Sequence, residues 1–406
     1  MIDIMKGVRV LEVAEHTFVP AASAVLADWG ADVIKVEHAE RGDAMRGLGR
    51  TGVMDLSKGV HVLNEHSNRG KRSIGIDLSK PEGVEVVYKL AETSDVFLTN
   101  KLPGVLSKLK VDVDDLRARN PKIIYVRGTS FGPKGPDRDR GGYDMTAFWC
   151  RAGSASGTTT KEVKGIAPQP GPAYGDSMGG MTIAGGIAAA LFRRERTGEP
   201  SVVDVSLLAT GAWAMSAAIA LSLQMKMPWG PIPMGGSGPG NPLVGVYETS
   251  DGRNVSVVML QAMRYWPDFC EHLGRPELVT DPRFDSDENL TKNGGAAREI
   301  ISEVIRGATM AEWTERFQTL QGPWAPVQNT LEVAADPQVA ANGYLARTAT
   351  KQGVEFDLVA SPVQFDEQPT ATARSPEFNE HGDEILKDLG YDWDAIIALK
   401  AAGAVT

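Results

Sequence analysis

The chain has 406 residues, a formal net charge of −10, 42% hydrophobic residues and 23% charged residues. This length exceeds what one compact core normally holds, so we expect at least two domains in a globular protein. The acidic balance argues against nucleic acid or a membrane surface as a partner. Two distant cysteines, Cys150 and Cys270, and an N-terminus without the apolar stretch of a signal peptide predict a cytoplasmic protein without disulfides.

The first elements predict a βαβ unit. Strand patterns cover residues 7–13 and 31–37, and an alanine-rich helix pattern over residues 20–29 separates them. Such a unit makes a doubly wound, mostly parallel α/β sheet the default. The Gly-x-Gly-x-x-Gly fingerprint is absent after the first strand, where residues 16–20 read HTFVP, so a nicotinamide cofactor is not expected.

The alternation of strands and helices then continues along the chain. We predict strands at 73–78, 95–98 and 122–126, and helices at 81–92, 113–119, 262–273, 295–305, 310–318, 382–389 and 394–401. A Gly/Pro-rich stretch at 228–242 is the best candidate for a domain boundary. The predicted large domain comprises 1–227 with 331–406, and the smaller α+β domain comprises 228–330.

An uncharged stretch covers residues 207–225 and is long enough to suggest a membrane span. Its Ala, Ser, Thr and Gly content and the absence of a basic flank favour a buried helix instead. No membrane partner is therefore expected.

Asp176 stands among glycines at the start of a second uncharged stretch, residues 181–192, which predicts a buried helix. An Asp at a helix start commonly caps free N–H groups and gains from the helix dipole. An Asp beside glycines is also a candidate nucleophile, because glycine lets a substrate approach the backbone. This stretch alone leaves both interpretations open.

Other patterns are weaker. Gly128-Thr129-Ser130-Phe131-Gly132 matches the nucleophile elbow of hydrolases, but the prolines that follow forbid the helix such an elbow requires. The six histidines lack zinc-ligand spacing, so no metal site is expected. The run 69–72 (RGKR) is either a solvated turn or a phosphate contact, and the run 234–240 is either a linker or a loop of oxyanion donors.

Considered together, many short matches along nearly the whole chain resemble the family III CoA-transferases, a family that includes the α-methylacyl-CoA racemases. The matching residues are Gly30 to Glu37 with Gly42 and Asp43, Lys71 to Ile74 with Asp77 and Leu78, Asp95 and Val96 with Asn100, Pro103 and Gly104, Asn120 to Tyr125, Phe131, Gly132, Gly135 and Pro136, Arg196 to Gly198 with Asp204 to Ser206, Asn241 and Pro242, Asp336 to Gln338, and Glu380 with His381.

The resemblance implies a CoA-binding α/β domain, a smaller domain and two subunits interlocked as a homodimer. It implies that Asp176 attacks an acyl-CoA thioester, forms an anhydride and then an aspartyl-CoA thioester, and passes CoA to a carboxylic acid. Asp144 matches an acidic position near the nucleophile, and the glycine loop at Gly235 and Gly236 matches the loop that stabilises the oxyanions. Coenzyme A is then a substrate, and no tightly bound cofactor is expected.

The same resemblance implies a set of residues that contact CoA. Glu37 and His38 match positions near the adenosine, Arg46 and Arg72 positions near the phosphates, and Asn100 the nucleotide edge. The remaining candidates are His16, Thr17, Lys71 and Tyr143, although Thr17 replaces the Gln of transferases that use small acids.

Two alternatives remain open at this point. A racemase would need a histidine in a Gly-His-Asp motif, which here is Gly142-Tyr143-Asp144, and a free tyrosine with a pKa of about 10 is a poor base near neutral pH. A catalytically silent CoA-binding protein is the other alternative, against which the retained Asp176 counts. Seven apolar residues either line a pocket for a bulky acyl group or belong to the core: Phe18, Met145, Phe148, Trp149, Met225, Met227 and Trp229.

Overall fold

The computed structural model describes residues 3–51, 54–56, 59–231 and 238–406. The strands up to residue 206 are Arg9–Val13 (β1), Asp32–His38 (β2), Arg50–Thr51 (β3), Met54–Asp55 (β4), Arg72–Ile76 (β5), Val96–Thr99 (β6), Ile124–Thr129 (β7) and Val202–Ser206 (β8). Six of them form one parallel sheet in the order β5-β2-β1-β6-β7-β8, and β3 pairs with β4 separately. The predicted parallel α/β sheet is confirmed.

Helices cover both faces of this sheet, because alternate strand residues point to opposite sides and both sides are apolar. The helices are Phe18–Asp28 (α1), Val62–Asn68 (α2), Pro81–Glu92 (α3), Pro103–Leu109 (α4), Val113–Arg119 (α5), Ser154–Thr158 (α6), Tyr174–Thr197 (α7), Leu207–Ala214 (α8) and Ser216–Met225 (α9). A 3₁₀ turn covers Ala44–Gly47, and a π-helix covers Met145–Arg151. Helices α1 and α7 pack on one face, and α3, α4 and α5 pack on the other.

The strand order reverses between β1 and β6, which lie side by side although they are far apart in sequence. At their carboxyl ends the Thr99 hydroxyl donates a 2.8 Å hydrogen bond to the Val13 carbonyl. In open α/β sheets, ligands bind in the crevice outside the strand ends at such a switch point. The topology therefore predicts a ligand site formed by the residues that follow β1 and β6.

Helix α7 packs closely against α1. A Cβ at Gly179 would overlap the Phe18 ring, and a Cβ at Gly180 would lie 2.8 Å from the Ala21 Cβ. A Cβ at Gly175 would likewise press on the ring of Phe148. These glycines allow close helix packing, so the glycines beside Asp176 serve the core rather than substrate approach.

The stretch 207–225 differs from its prediction. It forms two helices, α8 and α9, bent by 69° at Met215, and α9 has no buried residue. The expectation of one buried helix is wrong, because nothing within the described chain covers the outer face of α9. Among the described residues no single helix is long and apolar enough to cross a membrane, while the bent pair meets that test by length and composition alone.

The chain divides into two compact units, Met1–Gly230 with Pro337–Thr406 and Pro231–Asp336. The second unit contains the strands Val244–Glu248 (β9), Asn254–Val258 (β10) and Trp324–Pro326 (β11), which form an antiparallel sheet. Its helices are Ala262–His272 (α10), Asp287–Lys292 (α11), Gly294–Ile305 (α12), Met310–Arg316 (α13) and Thr330–Ala334 (α14), with 3₁₀ turns at Pro276–Val279 and Phe317–Thr319. Trp266 and Trp313 are fully buried in its core.

The C-terminal segment completes the first unit with Pro337–Ala341 (α15), Leu345–Ala349 (β12), Glu355–Val359 (β13), Gly382–Asp388 (α16) and Trp393–Ala401 (α17). Helices α16 and α17 join the core beside α3 and α5. The buried Glu65 carboxylate accepts hydrogen bonds from the backbone N–H and the hydroxyl of Ser375, at 2.6 and 2.8 Å. Residues late in the sequence therefore satisfy a charge contributed by α2.

Candidate active site

Two neighbouring cavities lie at the carboxyl ends of the central strands. The larger, about 680 Å³, is called here the aspartate cavity because Asp176 lines it. The smaller, about 400 Å³, is called the His38 cavity. Glu15, Lys101 and Val105 line both cavities, so the two adjoin at the switch point between β1 and β6.

Asp176 lies in the first turn of α7, whose cap position is Ala173 without a side-chain capping bond. Within the described part of the chain, no group donates a hydrogen bond to the Asp176 carboxylate, so Asp176 does not cap the helix. Burial, helped by the negative charge of Asp144, raises the pKa of the Asp176 carboxyl to about 7. The carboxylate is therefore unpartnered, half-buried and unusually basic.

Asp144 precedes the π-helix and is held on both oxygens. The backbone N–H of Met145 donates to Oδ1 at 2.7 Å, and Gln169 Nε2 donates to Oδ2 at 2.6 Å. Gln169 also donates to the carbonyl of Gly171, just before α7. The Gln169 amide therefore links Asp144 to the segment that leads into Asp176.

Three predicted CoA contacts, His16, Asn100 and Tyr143, line the aspartate cavity with Asp176. The rings of His16 and Tyr143 meet edge to face with centroids 5.6 Å apart. The Asn100 side chain accepts from the Glu15 N–H at 3.2 Å and donates to the Glu15 carbonyl at 2.7 Å. Asn100 therefore ties the end of β1 to the end of β6.

Glu37 and His38 line the smaller cavity. The Glu37 carboxylate accepts two hydrogen bonds from Arg46 and one from Ser73. Burial opposes ionisation of Glu37, but the hydrogen bonds and charges of Arg46 and the charge of Lys35 outweigh burial and lower its pKa. The side chain of Glu37 is thus already engaged within the protein.

Four predicted contacts do not line either cavity. Thr17 is buried beneath the start of α1, and Arg46 is paired with Glu37. Lys71 is buried, with its ammonium bonded to Glu12, and burial lowers the pKa of Lys71 to about 7 against the pull of that carboxylate. Arg72 begins β5 and so lies at the amino ends of the parallel strands, at the other end of the sheet from the cavities, where it pairs with Asp32, Glu384 and Asp388. Gly235 and Gly236 lie outside the described residues.

The seven apolar candidates for an acyl pocket differ in where they lie. Phe18 lines the aspartate cavity, whereas Phe148 and Trp149 are buried in the core. Met145, Met225 and Met227 are exposed, and Trp229 is half-buried away from both cavities. Ser130 of the apparent hydrolase motif donates its hydroxyl to the Gly142 carbonyl at 2.9 Å.

Several residues at the cavities were not predicted. Lys101 and Arg140 line the aspartate cavity as cations, and Glu15 holds Lys101 at 2.7 Å. Glu15 and Lys101 follow strands that the sequence predicts, so their positions after neighbouring parallel strands were a usable signal. Gln169 lies in a stretch without periodicity and gave no such signal. In the described part of the chain, no three His, Cys, Asp or Glu side chains are grouped to hold a metal ion.

Known proteins of one family resemble this chain over nearly its whole length. The profile of CoA-transferase family III matches residues 5–382. The cinnamoyl-CoA:phenyllactate CoA-transferase of Clostridium sporogenes is 32% identical over 96% of this chain and 94% of its own length. The (R)-2-hydroxy-4-methylpentanoate CoA-transferase of Clostridioides difficile is 29% identical over 99% of each chain. The crystal structure of a CAIB/BAIF family protein from Brucella suis superposes with a TM-score of 0.79 at 27% identity, covering 96% of this chain and all of that one.

Proposed function

Since the chain belongs to the family III CoA-transferases, we propose that this enzyme moves coenzyme A from an acyl-CoA to a carboxylic acid by covalent catalysis at Asp176. The observation that carries the proposal is the Asp176 carboxylate itself, which lines the aspartate cavity and has no hydrogen-bond donor among the described residues. A structural carboxylate that is half-buried normally has such a donor.

The proposed reaction has four steps, each of which transfers an acyl group from one oxygen or sulfur atom to another. A carboxylate oxygen of Asp176 attacks the thioester carbonyl, the carbon–sulfur bond breaks, and CoA thiolate leaves an acyl-aspartyl anhydride. The thiolate then attacks the aspartyl carbonyl and releases the donor acid, which leaves an aspartyl-CoA thioester. The acceptor carboxylate displaces the thiolate to form a second anhydride, and the thiolate attacks its acyl carbonyl, giving the new acyl-CoA and free Asp176.

The basicity of Asp176 supports this role. A carboxylate with an ordinary pKa near 4 is a weak nucleophile, and nucleophilicity rises with basicity. A pKa of about 7 leaves about half of the Asp176 side chains ionised at neutral pH. Its place in the first turn of α7 puts the developing oxyanion near the positive end of the helix dipole.

We further propose that CoA lies along both cavities, with its nucleotide in the His38 cavity and its thioester beside Asp176. The shared lining residues Glu15 and Lys101 support this path, because they place the two cavities side by side. Lys101, whose pair with Glu15 is partly exposed, and the exposed Arg140 line the aspartate cavity and offer cations for the phosphates, whereas Lys71 and Arg72 line neither cavity. His16 and Tyr143 are then neighbours of the thioester.

The acceptor that we favour carries a branched or aromatic side chain. Phe18, Phe131 and Leu207 line the aspartate cavity together with Tyr143, and apolar walls of this kind bind apolar groups. Two relatives of comparable length act on 2-hydroxy-4-methylpentanoate and on phenyllactate, as their names state. Both acids carry such a group.

A homodimer is part of the proposal. Helix α9 has no buried residue, and Trp213 and Leu223 are 80% and 74% exposed. A contiguous exposed apolar face often marks a protein contact, and a second copy of this chain is the partner that the family resemblance implies. The cytoplasm remains the compartment we propose, which the free thiols of Cys150 and Cys270 support.

A trapping experiment tests the proposed function. The enzyme is mixed with 4-methylpentanoyl-CoA or cinnamoyl-CoA without acceptor and quenched with hydroxylamine, and the modified peptide is mapped by mass spectrometry. We expect a hydroxamate on Asp176 that is absent in Asp176→Ala. An adduct on another residue, or full transfer activity in Asp176→Ala, would overturn the proposal. Solvent deuterium incorporated beside the thioester without any adduct would indicate a racemase instead.

A further inference from the structure

We propose that Asp43 is a positioning residue that holds His16 in a left-handed conformation at the rim of the aspartate cavity; the proposal rests on the function proposed above. His16 has φ of 67°, a region that residues other than glycine rarely adopt. Such conformations persist only where surrounding contacts hold them, and they cluster at functional sites. The contacts of His16 therefore matter.

The contact that holds His16 is a hydrogen bond from its backbone N–H to Asp43 Oδ1, at 3.0 Å. The same oxygen accepts from the backbone N–H of Met45 at 2.8 Å. The other carboxylate oxygen lies 2.7 Å from Lys35 Nζ. Asp43 is only 1% exposed, so its carboxylate cannot swing into water and release His16.

The two residues before His16 are held as well, by side chains from other parts of the fold. The Ala14 carbonyl accepts a hydrogen bond from Lys35 at 3.0 Å. Glu15 is bonded through both its N–H and its carbonyl to the side chain of Asn100. Lys35 lies on β2 and Asn100 follows β6, so three consecutive residues are tethered from separate elements. These contacts hold the turn between β1 and α1, and together they allow His16 to keep its strained conformation.

The strained conformation aims the His16 ring at the site. Its ring packs edge to face on Tyr143, and both line the cavity that contains Asp176. Without the Asp43 acceptor, the N–H of His16 loses the hydrogen bond that offsets the cost of positive φ. We expect His16 then to relax toward negative φ and its ring to leave this position. Asp43 itself lines neither cavity, so it acts through His16 rather than on the substrate.

The test is a double-mutant cycle between Asp43→Ala and His16→Gly, measured as kcat/KM and as the rate of hydroxylamine-trapped adduct formation on Asp176. We expect Asp43→Ala to lower both at least tenfold in the His16 enzyme and less than twofold in the His16→Gly enzyme, because the glycine variant has no side chain to position. Equal losses in both backgrounds, or a loss below twofold in the His16 enzyme, would overturn the inference.

A matched control separates positioning from stability. Asp28 is also buried and pairs with Arg69, away from both cavities. Asp28→Ala should lower the melting temperature about as much as Asp43→Ala while leaving kcat/KM per folded molecule within twofold of the parent. If Asp43→Ala does not fold, Asp43→Leu, which fills the same space without an acceptor, carries the cycle in both backgrounds. A parent enzyme that forms no adduct on Asp176 would instead contradict the proposed function, so the two failures are distinguishable.

Discussion

Asp144 lies close enough to Asp176 for its negative charge to add to burial, the larger cause, in raising the pKa of the Asp176 carboxyl to about 7. Met145 and Gln169 hold the Asp144 carboxylate through one hydrogen bond to each oxygen. Two carboxyl groups therefore lie close together, Asp144 with hydrogen-bond donors and Asp176 with none among the described residues, as in enzymes that give two acids different tasks.

Replacing Asp144 by Asn removes one of the two causes that raise the pKa of Asp176. We expect the acidic limb of the kcat/KM profile to move to lower pH by on the order of one pH unit, because burial still raises the pKa. The measurement is a pH series between 4.5 and 9, run on parent and variant. Asp139→Asn, which removes an exposed carboxylate, should leave the limb in place; an unmoved limb in Asp144→Asn would contradict the assignment.

Asp176 should make the protein less stable as pH rises. Its carboxyl ionises near pH 4 in the unfolded chain and near pH 7 in the folded protein, so the folded state binds more protons between these values and stability falls with rising pH. Asp176→Asn removes this loss. We expect its melting temperature to match the parent near pH 4 and to exceed it by a few degrees at pH 8, measured by scanning calorimetry. A variant that melts lower at pH 8 would rule out this account.

Two lysines should separate stability from substrate binding. Lys71→Met leaves the buried Glu12 without one of its two cationic partners, and we expect a loss of about 3–5 kcal/mol in the free energy of unfolding, measured in urea. Lys101→Met breaks only a partly exposed pair with Glu15 and should change that free energy by less than about 1 kcal/mol.

In the kinetics, by contrast, Lys101→Met should have the larger effect and Lys71→Met the smaller one. Lys101→Met is expected to raise the KM for acyl-CoA about tenfold, because it removes a cation where the two cavities join. Lys71→Met should leave the KM of the folded fraction close to that of the parent. A large KM effect of Lys71→Met would restore the phosphate contact that the charge run at 69–72 suggested.

The exposed face of α9 should be required for the dimer. Leu223→Glu places a charge on an apolar side chain that is 74% exposed, and we expect it to shift the enzyme from dimer to monomer in analytical ultracentrifugation. Ile397→Glu on α17 is the matched control, since that side chain is 60% exposed on another helix. Dimers that persist in Leu223→Glu would exclude this face.

The elements were largely predictable because their signals are local. Helix α3 begins at Pro81 and ends at Glu92 as predicted, since proline is favoured at the first position and its apolar residues recur at helical spacing. The π-helix at Met145–Arg151 was missed, because its turns do not follow the 3.6-residue period. The break at Met215 was missed because neither glycine nor proline marks it.

The site was less predictable because its contacts join distant parts of the chain. Asp176 was predicted as the nucleophile and lines the aspartate cavity, but the bond between Gln169 and Asp144 depends on a loop with no periodic pattern. The cations of the run at 69–72 looked available for phosphates. Lys71 is instead bonded to Glu12, 59 positions earlier in the sequence. Arg72 pairs with Asp32 at the amino ends of the strands, away from the cavities. Such long-range pairings cannot be inferred from charge alone.

The discontinuity of the first unit also affects the order in which this protein is made. Its last segment begins at Pro337, after about a hundred residues of the second unit have been synthesised, which takes roughly 5–20 seconds on a ribosome. During that interval the Glu65 carboxylate lacks Ser375, and the core beside α3 and α5 lacks α16 and α17. The nascent sheet therefore has this face only partly covered, by α3, α4 and α5, until the last segment of the chain is made.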